Sequence, residues 1–114
     1  MGEEKDLLLS YSSELRRGTL VLSVLGCLRT EKYGYLLVQE LCEGGIEIDP
    51  GTLYPLLRRL EKQGLLQSRW DTQEAKPRKY YQRTRYGDEL FEALLLQWKR
   101  LSKDMAVILK EDDV

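Results

Sequence analysis

The sequence predicts a mainly α-helical domain with a small β-hairpin, followed by one long C-terminal helix. Three observations predict it. Apolar residues recur three and four apart through most of the chain, as the helix period requires. Two short runs, "LLQSRW" and "KYYQRT", are joined by the polar, proline-containing "DTQEAKPR", which reads as a hairpin with a long tip. A final stretch from about Arg85 to Lys110 keeps its apolar spacing beyond what so small a domain can cover. At 114 residues the chain supports one hydrophobic core and not two.

The first apolar segment, "ELRRGTLVLSVLGCL" from Glu14 to Leu28, is apolar on nearly all sides, as in a buried helix. Periodicity alone would also allow a strand; its length favours helix. The amphipathic "LLLSYSSELRR" before it is either that helix's first turns or a separate arm. A second helix is expected from roughly Tyr33 to Glu43, with Leu36, Leu37, Leu41 and Val38 inward and Gly44 and Gly45 stopping it. The alternating "IEI" at Ile46 to Ile48 suggests a short strand.

In "DPGTLYPLLRRLEKQG" a third helix begins, with two prolines at its front. Asp49 is a good N-cap with Pro50 at the first helical position, where a missing N–H is no loss. Alternatively Thr52 caps, and Pro55 is then only the third helical residue. Leu53, Leu56, Leu57 and Leu60 form the inward stripe, and Gly64 ends the helix. In the last helix, capped by Thr84, Phe91, Leu94, Trp98, Leu101, Met105 and Ile108 are spaced 3, 4, 3, 4, 3. That seam spans about two and a half heptads. Its first half suits packing on the chain's own core, and Leu101 to Ile108 suit a partner subunit. An acidic tail, 111–114, follows.

Composition excludes several functions. There is no histidine, so the usual general base and the usual partner of a nucleophilic Ser or Cys are missing. Nothing clusters as a catalytic, metal or cofactor site. Cys27 and Cys42 are expected as small buried thiols. The start "MGEEKD" is acidic where a secretory signal needs positive charge, and no apolar run spans a bilayer. A cytoplasmic protein with no membrane partner is the expectation.

The net charge is −1, yet Asp49 to Asp88 holds nine Lys/Arg against five Asp/Glu. A local excess of +4 within an otherwise acidic chain marks one polyanion-binding face. Helix, helix, short strand, helix and hairpin is the element order of a winged helix-turn-helix. The expected division is therefore 1–84 as the DNA-binding domain, with recognition helix about 50–63 and wing about 65–84, and 85–110 as a dimerisation helix.

With these elements in place, "RRGTLVLSVLGCL", "YGYLLVQEL", "DPGTLYPLLRRLEKQGLL", "RKYYQRT" and "YGDEL" resemble the PadR-like family of bacterial transcriptional regulators. The matching pieces cover about Arg16 to Leu109, and the short chain is similar to the smaller subgroup. The resemblance implies a winged-helix DNA-binding domain and a homodimer built through the C-terminal helix. It also implies repression at an inverted-repeat operator, often relieved by a small molecule. In some members that molecule is a planar aromatic held near a tryptophan of the C-terminal helix, the place of Trp98. Two departures stand out. The wing tip reads "EAKPRKYY" where the family often has glycines, which leaves the wing's shape and reach open. Arg83 stands where an apolar residue is usual, either turned outward to phosphate or paired with an acidic neighbour.

The expected DNA-binding residues follow from the helix start and the wing. Gly51 permits close approach, and Thr52 offers a hydroxyl and a methyl. Tyr54 either holds a phosphate or packs on the second helix; Tyr35 is similar to a family position that touches the DNA backbone, which the resemblance implies here, or else it packs in the core. Arg58 and Arg59 are candidates for phosphate or guanine, against a plain solvated face. Lys76, Arg78 and Lys79 on the wing would reach phosphates, giving salt-dependent affinity. Trp98 is either simple packing or one wall of a slot for a planar aromatic effector. The competing reading is a winged-helix protein–protein interaction module, supported by the acidic overall balance and the altered wing.

Overall fold

The computed structural model describes residues 2–110, so the acidic tail at 111–114 lies outside the described residues. The chain runs α1 (Gly2–Arg17), α2 (Leu20–Cys27), β1 (Lys32–Tyr33), α3 (Gly34–Glu43), α4 (Pro50–Lys62), β2 (Leu66–Asp71), β3 (Arg78–Arg83) and α5 (Arg85–Ile108). It is mostly helical, with a three-stranded antiparallel sheet ordered β1-β3-β2.

The Glu14–Leu28 segment is not one helix. It breaks at Gly18 and Thr19, and α1 is a separate arm with no buried residue. The break is local: the Thr19 N–H and hydroxyl both donate to the Arg16 carbonyl (3.0 and 2.9 Å), closing α1 with a turn. The expected strand at Ile46 to Ile48 is also corrected: those residues join no strand ladder, the Ile46 N–H closing α3 on the Leu41 carbonyl at 2.8 Å, and the third strand is Lys32–Tyr33. Ile46 and Ile48 do pack on the core while Glu47 is exposed. Alternation therefore reported which side chains face inward, and not backbone pairing. Cys42 is exposed rather than buried, on the outer side of α3; both cysteines are free. Burial pushes the half-buried Cys27 thiol above its ordinary pKa.

The core is built mainly of leucines. Val24, Leu25 and Leu28 from the α2 region meet Leu37 and Leu41 of α3. The α4 stripe Leu53, Leu56, Leu57 and Leu60 is buried in full, as its spacing predicts. Leu65, Leu66 and Tyr81 close the sheet side. Gly64 ends α4 with φ +82°, and the Leu65 N–H returns to the Leu60 carbonyl at 2.9 Å. That closure turns the chain straight into β2. Thr84 caps α5, its hydroxyl accepting from the Gly87 N–H at 3.0 Å and donating to the Gly64 carbonyl. The wing's end and the helix's start are thus tied to the end of α4.

Candidate nucleic-acid interface

The start of α4 decides which side chains lead. Asp49 is the cap: it is extended, and its Oδ1 accepts from the Thr52 N–H at 3.0 Å. Pro50 therefore takes the first helical position, and Pro55 lies inside the helix. Its missing N–H leaves the Gly51 carbonyl without its helical donor, at an exposed turn where water can replace it. Thr52 turns its hydroxyl back to Asp49 Oδ2 at 3.3 Å, so its methyl and oxygen lone pairs are what it offers outward. Gly51, Thr52, Arg58 and Arg59 are all exposed, opposite the buried leucine stripe.

Tyr54 is half-buried, and its ring lies so close over Gly34 that a Cβ there would overlap it. That is the packing role on the helix before it. Tyr35, in the first turn of α3, is exposed, so it is not a core residue.

The wing is pinned by its own residues. Leu66 pairs with Arg83 and Asp71 with Arg78, in register without a bulge. Arg69 grips Glu31 through Nε and Nη2, which holds the Glu31 carboxyl below its usual range and raises the Arg69 guanidinium. Arg69 also lies over Tyr80, Tyr80 meets Tyr33 edge-on at 5.6 Å, and Arg78 sits 4.5 Å above the Tyr33 ring. Arg78 is 3.8 Å from Glu74, and Lys79 is 3.5 Å from Glu61. Lys76, on the tip, is exposed and has no acidic partner among the described residues.

Arg83 turns inward. Its side chain is only 8% exposed, its Nη1 donates to the Leu25 carbonyl at 3.2 Å, and its guanidinium stacks 4.4 Å over Phe91. Asp88 approaches its Nε at 2.8 Å, but the Nε–H is not aligned on that oxygen. The pair is Coulombic rather than a well-formed hydrogen bond. Pairing with an acidic neighbour is the alternative found; reaching for phosphate is not.

An exposed helix face with an arginine pair, beside a twisted hairpin carrying further cations, is the geometry of a winged-helix DNA reader. Comparison with known proteins agrees. Residues 21–93 match the transcriptional regulator PadR-like family. The transcriptional regulator Rv3488 of Mycobacterium tuberculosis is 35% identical over 94 residues, spanning 82% of this chain and 84% of that protein. The chain belongs to the PadR-like family of transcriptional regulators. Among solved structures, a PadR family transcriptional regulator from Eggerthella lenta is 46% identical with a TM-score of 0.91, covering 98% of this chain and 100% of the other. A PadR-like regulator from Bacillus cereus is 29% identical with a TM-score of 0.79, covering 88% and 100%. The family binds DNA to regulate transcription and is not enzymatic. No helix among the described residues is long and apolar enough to cross a membrane.

In this PadR-like chain the seam residues of α5 divide. Phe91 and Leu94 are half-buried against the chain's own core. Trp98, Leu101, Met105 and Ile108 are exposed, as are Leu7, Leu8, Leu9, Tyr11 and Leu15 of α1. Between α5 and the α1–α2 junction lies a cleft of about 630 Å³, lined by Leu15, Val21, Leu22, Leu94, Trp98 and Leu101 among others. Sequence reasoning missed the Arg69–Glu31 clamp and Trp70. The clamp joins residues 38 apart and leaves no local signal. Trp70 could have been found, because it falls on the same face of β2 as Leu66 and Ser68.

Proposed function

We propose that the chain is a homodimeric repressor that places two α4 helices in successive major-groove segments of an inverted-repeat operator. The observation that carries the dimer is the uncovered apolar surface. Leu15 is 80% exposed and Ile108 68%, and Leu7, Leu8 and Leu9 of α1 and Trp98 and Leu101 of α5 are exposed with them. Contiguous apolar surface of that kind marks an association site, and a second copy offers the same two faces for mutual burial. Residues 85–110 then join the subunits, and 1–84 carry the DNA-binding parts.

On each half-site Gly51 and Thr52 lead into the groove, with Arg58 and Arg59 on phosphate or guanine. Tyr35 flanks the DNA backbone, and Lys76, Arg78 and Lys79 approach it from the wing. A planar aromatic effector would enter the cleft beside Trp98, between the core and the dimer helices, and shift the spacing of the two α4 helices. Support for that comes from the cleft's apolar lining and from an indole already at its wall.

A gel shift with the protein's upstream DNA tests the reading. Binding should weaken steeply with salt and fall when Arg58 and Lys79 are both replaced by alanine. Absence of binding at low salt would reject it. Quenching of Trp98 fluorescence by planar aromatics tests the effector.

A further inference from the structure

Trp70 stands open to solvent where its strand position would predict cover. It is 61% exposed, although it continues along β2 the row that begins with the buried Leu66. Between them Ser68 faces α4, bonded to Glu61. Trp70 is the next residue on that face, beyond the point where the helix layer covers the sheet. There it helps line a slot of about 260 Å³ between the wing and the starts of α3 and α4. Tyr33, Tyr35 and Tyr54 form other walls, with Arg78 and Lys79 at the rim.

We infer that Trp70 is a DNA-binding residue, and that this slot seats one deoxyribose–phosphate segment of the backbone with the indole against the sugar. The inference rests on the DNA-binding reading above and specifies how the wing side contributes. Three features select this occupant. The walls are aromatic and the rim cationic, which matches a backbone alternating apolar sugar faces with anionic phosphates. The bases of a duplex are stacked and paired, so the sugar is the apolar surface that a flanking wing meets. The wing's cations are partly spent within the chain: Arg78 on Tyr33 and Glu74, Lys79 on Glu61. An uncharged anchor therefore adds to what Lys76 and these partly neutralised cations supply. The indole also carries an N–H that can donate to the adjoining phosphate oxygen.

Such a contact has a signature that a cation lacks. Each lysine or arginine on a phosphate adds about 0.9 to the slope of log affinity against log salt, whereas an aromatic contact adds nothing. Trp70→Ala should lower affinity roughly 10-fold with an unchanged salt slope. The loss should be equal for the upstream DNA and for a mixed-sequence duplex, because sugar carries no sequence. Lys76→Ala should instead flatten the slope. At saturating DNA, emission should change in the parent and much less in Trp70→Phe, where Trp98 is the remaining indole.

Circular dichroism of Trp70→Ala is expected to match the parent, as the residue is outside the core. Unaltered affinity of Trp70→Ala at every salt concentration, with the parent binding normally, overturns the inference alone. A loss confined to the upstream sequence overturns it too, since that would be base reading. If the parent itself fails to bind either duplex at low salt, the DNA-binding reading falls and takes this inference with it.

Discussion

The two halves of α5 have the same apolar spacing and opposite surroundings. From Thr84 to Leu94 the helix is held by its own chain: Gly87 lies against the Leu65 carbonyl, Arg83 stacks on Phe91, and Leu90 and Leu94 pack on the core. From Leu96 to Ile108 the seam residues Trp98, Leu101, Met105 and Ile108 stay exposed, although Trp98 and Leu101 border the cleft beside Leu15 and Val21. A helix of 24 residues is roughly 36 Å long, and the α2–α4 core is not wide enough to cover it. Periodicity defines a face; what covers that face depends on how far the neighbours extend. The separate α1, with no buried residue, repeats the lesson at the other end of the chain.

The comparison is broken most directly by charging the open half. Leu101→Glu with Ile108→Glu should weaken self-association by about 4 kcal/mol, near a thousandfold in dissociation constant, if a second copy buries both side chains. Sedimentation at micromolar concentration should then show monomers with unchanged helix content. A monomeric parent, or a dimer indifferent to the two glutamates, would show that the open half has no such cover.

In the closed half the expected effect is on folding instead. A Cβ at Gly87 would overlap the Leu65 carbonyl oxygen and lie 3.1 Å from its carbon, both backbone atoms that cannot swing away. Gly87→Ala should cost about 3 kcal/mol in urea unfolding. If the chain dimerises as proposed, sedimentation across a concentration series should give the folded variant nearly the parent's association constant.

Arg83→Ala sharpens the boundary between the halves. It removes the stack on Phe91 and the donor to the Leu25 carbonyl, for an expected loss of about 2 kcal/mol. If Arg83 acted mainly on DNA, stability would stay level and only binding would drop.

The smallest effect belongs to the exposed Arg69–Glu31 clamp, far from α5. The arginine's hydrogen bonds hold the Glu31 carboxyl low, so its contribution is fully present above the ordinary glutamate value of 4.5. It is lost as pH falls through the lowered folded value. Arg69→Gln should therefore make stability decline slightly less on the acid side, an effect that salt diminishes. Thermal unfolding from pH 6 downward reads it.

The fold class was legible because its signals are local. The leucine stripe of α4, the glycine closing it and the threonine opening α5 each act within a few residues. The Asp49 cap was one of two alternatives, and the carboxylate's bond to the Thr52 N–H chose between them. The strand at Lys32–Tyr33 was missed because two residues cannot show a period, and only their pairing with Tyr80 and Tyr81 makes them a strand. Arg83 was ambiguous for a related reason: whether a long cationic side chain turns in or out depends on a helix-end carbonyl and a ring elsewhere in the fold.

The sequence by itself determined the helices, the hairpin, the buried leucines and the +4 concentration of charge, because spacing and caps are properties of adjacent residues. Only the tertiary structure decided that α1 stands apart, that much of the wing's charge is answered by Glu31, Glu61 and Glu74, and that Trp70 overhangs a slot beside α4. Those outcomes depend on which distant groups come within a few ångströms, and that is a matter of packing rather than of order along the chain.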